Sequence, residues 1–201
     1  MNADLVKYIE QNILPAYDAF TDGHDRSHVE MAIRESLYLA RLHGADEDMA
    51  YTVAAYHDLG IPQGRKTHHL TSAVILESDG QLRWWFTPEQ IHIMKEAVED
   101  HRASAGTAPR TLYGSIIADA DHYIVPEEII HRTLLWGKVN FPHMTDDEHI
   151  VRARGHMYEK FCEDGYLRFH LNNPRSLEGL RALRELVADE ECFDAVCRKY
   201  L

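Results

Sequence analysis

Residues 50–60 read Ala-Tyr-Thr-Val-Ala-Ala-Tyr-His-Asp-Leu-Gly. Ala50, Val53 and Ala54 precede His57 by seven, four and three positions, the spacings that bring side chains to one face of an α-helix. The stretch predicts an amphipathic helix over residues 46–59, with His57 turned inward beside Asp58 and a stop at Gly60-Ile61-Pro62. An imidazole next to a carboxylate fills an apolar core poorly, because burying polar groups without partners costs free energy. Both can instead ligate a divalent metal.

The same period runs outward in both directions. Leu5, Tyr8, Ile9, Ile13 and Leu14 predict a helix over residues 5–20, bent or ended by Pro15. A second helix is expected from Asp25 or Ser27 to Leu42, with Gly44 as its stop signal. Another should begin near Thr67 and end near Asp79-Gly80. Thr87-Pro88-Glu89-Gln90 combines an N-cap, a first-turn proline and a capping-box glutamine, predicting a helix to about residue 102. Further helices are expected over 111–123, 146–162 and 174–188, with a short one at the end; Pro126 and Asn140-Phe141-Pro142 punctuate the stretch between. Alternation with a period of two is missing, as are a Gly-rich phosphate loop and internal repeats. The chain reads as all-α.

At 201 residues it fits one domain, over 1–201, with a metal-site core at about 20–125 and C-terminal helices over about 126–201. That extension is expected to cap the core or to make a homodimer contact. A formal charge of −12 argues against a general nucleic-acid surface or binding to anionic membranes. It does not exclude a small anionic substrate, because a bound cation inverts the local field. No apolar run approaches the roughly 20 residues of a membrane span, and the N-terminus lacks a signal layout. Cys162, Cys192 and Cys197 are odd in number and lack metal-finger spacing, so free thiols in a reducing cytoplasm are expected.

Fourteen histidines justify asking where each one points. His101 follows Met94, Ala97 and Val98 at the spacings seen for His57. His28 stands beside the stripe Val29, Ile33 and Leu37, and Asp121 follows Ile117 and Ala118 in an otherwise apolar helix. One inward histidine is ordinarily a hydrogen-bonded core residue. Several histidines and two aspartates converging from separate helices point to a metal, since buried carboxylates are scarce unless paired or coordinated. Imidazole with carboxylate suits Mn, Fe, Co, Ni or Zn, with Mg also admissible.

This ordered set resembles the HD superfamily of metal-dependent phosphohydrolases. The resemblance is carried by Gly23-His24-Asp25-Arg26-Ser27-His28-Val29, Tyr56-His57-Asp58-Leu59-Gly60 and Ala118-Asp119-Ala120-Asp121. It implies a compact multi-helix HD-type bundle with a helical C-terminal extension. It also implies that His28, His57, Asp58 and one later aspartate hold a first metal. Ala120-Asp121-His122-Tyr123 fits the superfamily pattern better, which favours Asp121, with Asp119 as the alternative. His68-His69-Leu70-Thr71-Ser72-Ala73 and Asp100-His101-Arg102 are similar to segments of the two-metal subgroup. They imply a second ion held by His68 and His101 with Asp58 bridging, and His69 as neighbour or substitute for His68. One ion and two ions both remain open here.

The resemblance further implies hydrolysis of a small phosphate ester, a nucleotide or dinucleotide, by metal-activated water. Asp58 would fix that water, and Arg102 or Lys66, with Arg65 beside them, would hold phosphate oxygens. Asp100 or His69 would protonate the leaving oxygen. Of the upstream pair His24-Asp25, Asp25 is expected to cap a helix, with a hydrogen bond to His28 as the functional alternative. Trp84-Trp85-Phe86 is expected to pack in the core or against a partner helix rather than stack a base. Two other readings stand beside hydrolysis: a di-iron oxygenase of the wider superfamily, and a non-catalytic regulatory module holding a structural metal.

Overall fold

Asn2 starts the first helix by accepting hydrogen bonds from the amides of Asp4 and Leu5. In the computed structural model, which describes residues 1–20, 24–102 and 107–201, this helix, α1, spans Ala3–Asn12. It ends sooner than residue 20, because Pro15 enters a 3-10 turn, Leu14–Ala19, that buries Leu14 and Tyr17. Gly23, the first residue of the Gly-His-Asp motif, and Ala103-Ser104, after His101-Arg102, lie outside the described residues.

Helix α2, Arg26–His43, is capped by Asp25, whose carboxylate accepts from the amides of Ser27 and His28. It stops where Gly44 takes a left-handed φ of 65°, a conformation that a Cβ disfavours. Helix α3, Glu47–Tyr56, is buried along its whole length from Met49 onward, so it forms the centre of the packing. Around it stand α4 (His68–Ser78), α5 (Pro88–Asp100) and α6 (Leu112–Asp121). The capping box at Thr87 and Gln90 is formed on both sides. Val29, Val53, Ala54, Ala73, Leu76, Met94, Val98 and Ile117 meet in one core, which Leu5 and Ile9 of α1 also join. Burying each such large aliphatic side chain contributes about 1.5–3 kcal/mol.

Helix α3 ends at Tyr56, three residues short of the expected Leu59. The reason is local competition for hydrogen bonds. A continuing helix would pair the amide of Asp58 with Ala54 and that of Leu59 with Ala55. Instead, His57 Nδ1 donates to the Ala54 carbonyl at 2.7 Å and the Tyr17 hydroxyl donates to the Ala55 carbonyl at 3.0 Å. Residues 57–60 therefore form tight turns, with Leu59 N on Tyr56 O and Ile61 N on Asp58 O.

The described residues divide into two compact units, one over 1–122 with 169–171 and one over 123–168 with 172–201. In the second, α7 (Pro126–Asn140), α8 (Asp146–Phe161), α9 (Pro174–Ala188) and α10 (Glu190–Arg198) bury Ile130, Leu134, Met157, Leu183 and Phe193. Helix α7 occupies the stretch that reads as punctuation: Pro126 is its first-turn proline, and residues 140–142 mark its end. Among the described residues there are ten α-helices and no strand, so the fold is all-α. None of these helices is long and apolar enough to cross a membrane. The three cysteines are free thiols. Of the aromatic triplet, Phe86 is buried, Trp85 packs on Tyr8 at 5.5 Å, and Trp84 is exposed rather than core.

Candidate metal centre

The turn after α3 is held from several sides. Tyr56 donates to Asp79 at 2.5 Å, and Tyr8 of α1 donates to the same oxygen at 2.7 Å. The amide of Asp58 donates to Tyr17 Oη at 3.3 Å, and that of Gly60 to Ser72 Oγ at 2.8 Å. Gly60 lies so close to α4 that a Cβ there would overlap the His68 carbonyl and sit 2.8 Å from the amide nitrogen of Ser72. A glycine at 60 and a small residue at 72 are what bring the turn against the first turn of α4.

Asp58 is 1% exposed and stands between two groups of imidazoles. Its Oδ2 is 3.3 Å from His57 Nε2 and 3.4 Å from His28 Nε2; its Oδ1 is 3.2 Å from His68 Nε2 and 3.6 Å from His101 Nε2. Asp121 Oδ1 completes the first group, 3.0 Å from His28 Nε2 and 3.7 Å from His57 Nε2. The ligating atoms of His28, His57, Asp58 and Asp121 lie within 4.8 Å of one another, as do those of Asp58, His68 and His101.

Tautomers make these groups fit a cation. Carbonyl oxygens only accept, so His57 Nδ1 on Ala54, His68 Nδ1 on Arg65 and His101 Nδ1 on Val98 must each carry a hydrogen, at 2.7, 2.7 and 2.6 Å. In the neutral ring this leaves the lone pair on Nε2, pointing into the centre. Yet His68 and His101 bring these nitrogens to 3.0 Å of one another, and His57 and His28 to 3.3 Å. Lone pairs at that separation repel unless a proton or a cation lies between them. The donor set of imidazole nitrogen and carboxylate oxygen suits a divalent metal.

In the protein without metal, protons balance the charge. Burial disfavours a charged His57, but the carboxylates of Asp58 and Asp121 outweigh it and hold the imidazole well above its usual range. His28 is raised in the same way, against burial, by Asp121 and Asp58. Burial would raise the two acids; instead His57 and the neighbouring rings hold Asp58 well below the usual carboxylate range, and His122, His28 and His57 do so for Asp121.

Asp119 is elsewhere. It is buried, and its two oxygens accept the amides of His170 and Leu171, both at 2.8 Å. Burial pushes it up to about 6, against the pull of those two amides. Asp100 is clamped by Arg110, whose Nη2 is 2.9 Å from Oδ1 and whose own amide donates to Oδ2 at 2.8 Å. Lys66 and Arg65 are exposed beside the His68 turn, and Arg102 Nη1 donates to the Lys66 carbonyl at 2.5 Å. His69 stands next to His68, their rings 5.7 Å apart, outside both ligand groups.

Two residues of the centre escape the sequence reading. His24 Nδ1 lies 2.6 Å from Asp58 Oδ2, although only its neighbour Asp25 acts as the cap. Burial holds His24 below its usual range, Asp58 opposing. Its signal was present in the repeated His-Asp pair but was outweighed by the plainer capping role of Asp25. Tyr17 carried no signal, since nothing in the sequence ties a 3-10 turn to residue 58.

A family profile described as HD domain matches residues 26–125. No curated protein matches the chain significantly. Among solved structures, a structural-genomics crystal structure of a protein from Lactobacillus plantarum is 19% identical, with a TM-score of 0.64, over 94% of this chain and 95% of that one. This likeness concerns the fold.

Proposed function

The chain belongs to the HD superfamily of metal-dependent phosphohydrolases through residues 26–125, and on that premise we propose that it hydrolyses a small phosphate ester, a nucleotide or dinucleotide being the leading class. The observation that carries this reading is the division of the Asp58 carboxylate, one oxygen toward His28 and His57 and the other toward His68 and His101. His28, His57, Asp58 and Asp121 would hold one divalent ion, and Asp58, His68 and His101 a second. Mn, Fe, Co, Ni and Zn are the expected metals, with Mg admissible. Bound there, a divalent metal supplies Lewis acidity and lowers the pKa of coordinated water toward about 7.

The chain's own groups do the rest. Arg102, Lys66 and Arg65 are the cations at the rim, and their donors suit phosphoryl oxygens. The hydrogen bond from Arg102 to the Lys66 carbonyl favours this by holding the two segments together. Asp100 is engaged by Arg110, which leaves it less free to donate a proton to the leaving oxygen. His24 donates from Nδ1 to Asp58, so in the neutral ring its Nε2 is a base that can take a proton from the attacking water.

The test is elemental analysis of protein purified without chelators, followed by a panel of nucleotides and phosphate esters with Mn, Co, Ni, Mg and Fe(II). Hydrolysis that Asp58→Asn removes while helical content stays is the expected result. Metal without any hydrolysis would favour a structural role, and iron with oxygen uptake would replace hydrolysis by oxygenation.

A further inference from the structure

Tyr17 is fully buried in the 3-10 turn after α1, and its hydroxyl ends at the opened terminus of α3. It donates to the Ala55 carbonyl at 3.0 Å and accepts the Asp58 amide at 3.3 Å. In an uninterrupted helix, the Ala55 carbonyl would receive the amide of Leu59, and the Asp58 amide would go to Ala54. One hydroxyl thus occupies the places of two helical partners on either side of His57. No exposed polar requirement explains a phenol at this depth; a phenylalanine would fill the same volume.

We propose that Tyr17 is a positioning residue for Asp58: its hydroxyl holds α3 open at residues 57–60, so that the carboxylate lies between the two imidazole groups. The proposal rests on the metal reading given above. Without the hydroxyl, the Asp58 amide and the Ala55 carbonyl are buried without partners. The nearest remedy is to wind the helix on by one turn. That rewinding would rotate Asp58 by roughly 100° per residue gained, away from His68 and His101.

The experiment compares Tyr17→Phe with Tyr8→Phe in the full chain, using Co(II) as the probe. Tyr8 also sends a hydroxyl from the N-terminal segment, but to Asp79 rather than to the 57–60 turn. Co(II) affinity is followed by calorimetry and ligand geometry by the visible absorption of the bound ion. Tyr17→Phe is expected to weaken Co(II) binding by about 10-fold or more, the usual effect of removing a group that orients a ligand, and to alter the absorption bands. Tyr8→Phe is expected to lose stability but keep the wild-type affinity and spectrum.

Wild-type affinity and spectrum in folded Tyr17→Phe would overturn the proposal, as would an equal loss in Tyr8→Phe. If the wild-type protein itself fails to bind Co(II), the metal reading falls, separately from Tyr17. Should Tyr17→Phe not fold, hydrogen exchange in the wild-type protein decides: an Asp58 amide held by Tyr17 is protected at least 100-fold, and exchange at the free-peptide rate overturns the assignment.

Discussion

His68 places Nε2 3.2 Å from one oxygen of Asp58, while the other oxygen of the same carboxylate faces His28 and His57. Only a residue shared by both groups should affect both when it is changed. His68→Ala and His101→Ala are therefore expected to lower metal content from about two ions per chain to about one. Asp58→Ala should lower it further than either. Elemental analysis checks this, and unchanged metal content in His68→Ala would remove the second ion from the reading.

The two nearby aspartates should separate cleanly. Asp121→Asn is expected to lose one ion, because Asp121 stands 3.0 Å from His28. Asp119→Ala should keep its metal but lose about 1–3 kcal/mol of stability, since it leaves the amides of His170 and Leu171 without their acceptor. Urea titration with parallel metal analysis tests both; loss of metal in Asp119→Ala alone would reverse the assignment.

Gly60→Ala forces a methyl against the His68 carbonyl and the Ser72 amide. Backbone cannot give way there as a flexible side chain could. The expected cost is about 1–3 kcal/mol in unfolding free energy, together with weaker metal binding through displaced His68. Denaturation with and without Co(II) measures the two effects in one series.

Stability should depend on pH in opposite ways with and without metal. His57 and His28 are raised in the metal-free protein, so their contribution is fully present below about pH 6.5 and is lost as pH rises through their folded values. Asp58 and Asp121 are lowered, so theirs is present above about pH 4 and is lost as pH falls through their folded values. His24, held below its usual range, adds a loss on the acid side of about 6.5. The metal-free melting temperature is expected to fall from pH 6 to pH 8. Stabilisation by added Co(II) should rise over the same interval, because bound imidazoles must be deprotonated. A Co(II) effect independent of pH would contradict this.

Tyr56→Phe is expected to cost about 1.5–3 kcal/mol, the range for a hydrogen bond to a charged group, because Asp79 accepts its hydroxyl at 2.5 Å inside the fold. Thermal unfolding of the full chain measures it. A change near zero would mean that Tyr8, on the same oxygen, suffices.

Helical periodicity made most of the fold legible, and caps made its boundaries legible: Thr87 with Gln90, Asp25 and Gly44 all act locally, within one turn. His28, His57, His101 and Asp121 could be picked out because each stands among apolar residues at helical spacing, and His68 because its segment resembles that of the two-metal subgroup. Three features were not legible. The end of α3 is set by Tyr17, forty-one positions from Asp58. The partners that hold Asp119 away from the ligand groups, the amides at 170 and 171, are announced by no local pattern. Helix α7 was hidden because Pro126 reads equally as a breaker and as a first-turn residue.

Residues 169–171 return to the unit that contains the ligands, where Leu171 packs beside Leu39, Ala40 and Ile116. The stretch matched by the family profile is thus not a part that can be cut out. A fragment of residues 26–125 would keep every proposed ligand, yet lack Leu5, Ile9, Tyr17 and His24 from one side and the amides that Asp119 holds from the other. Transplantation of the centre would have to carry two separated pieces of chain, residues 1–122 and 169–171, not one.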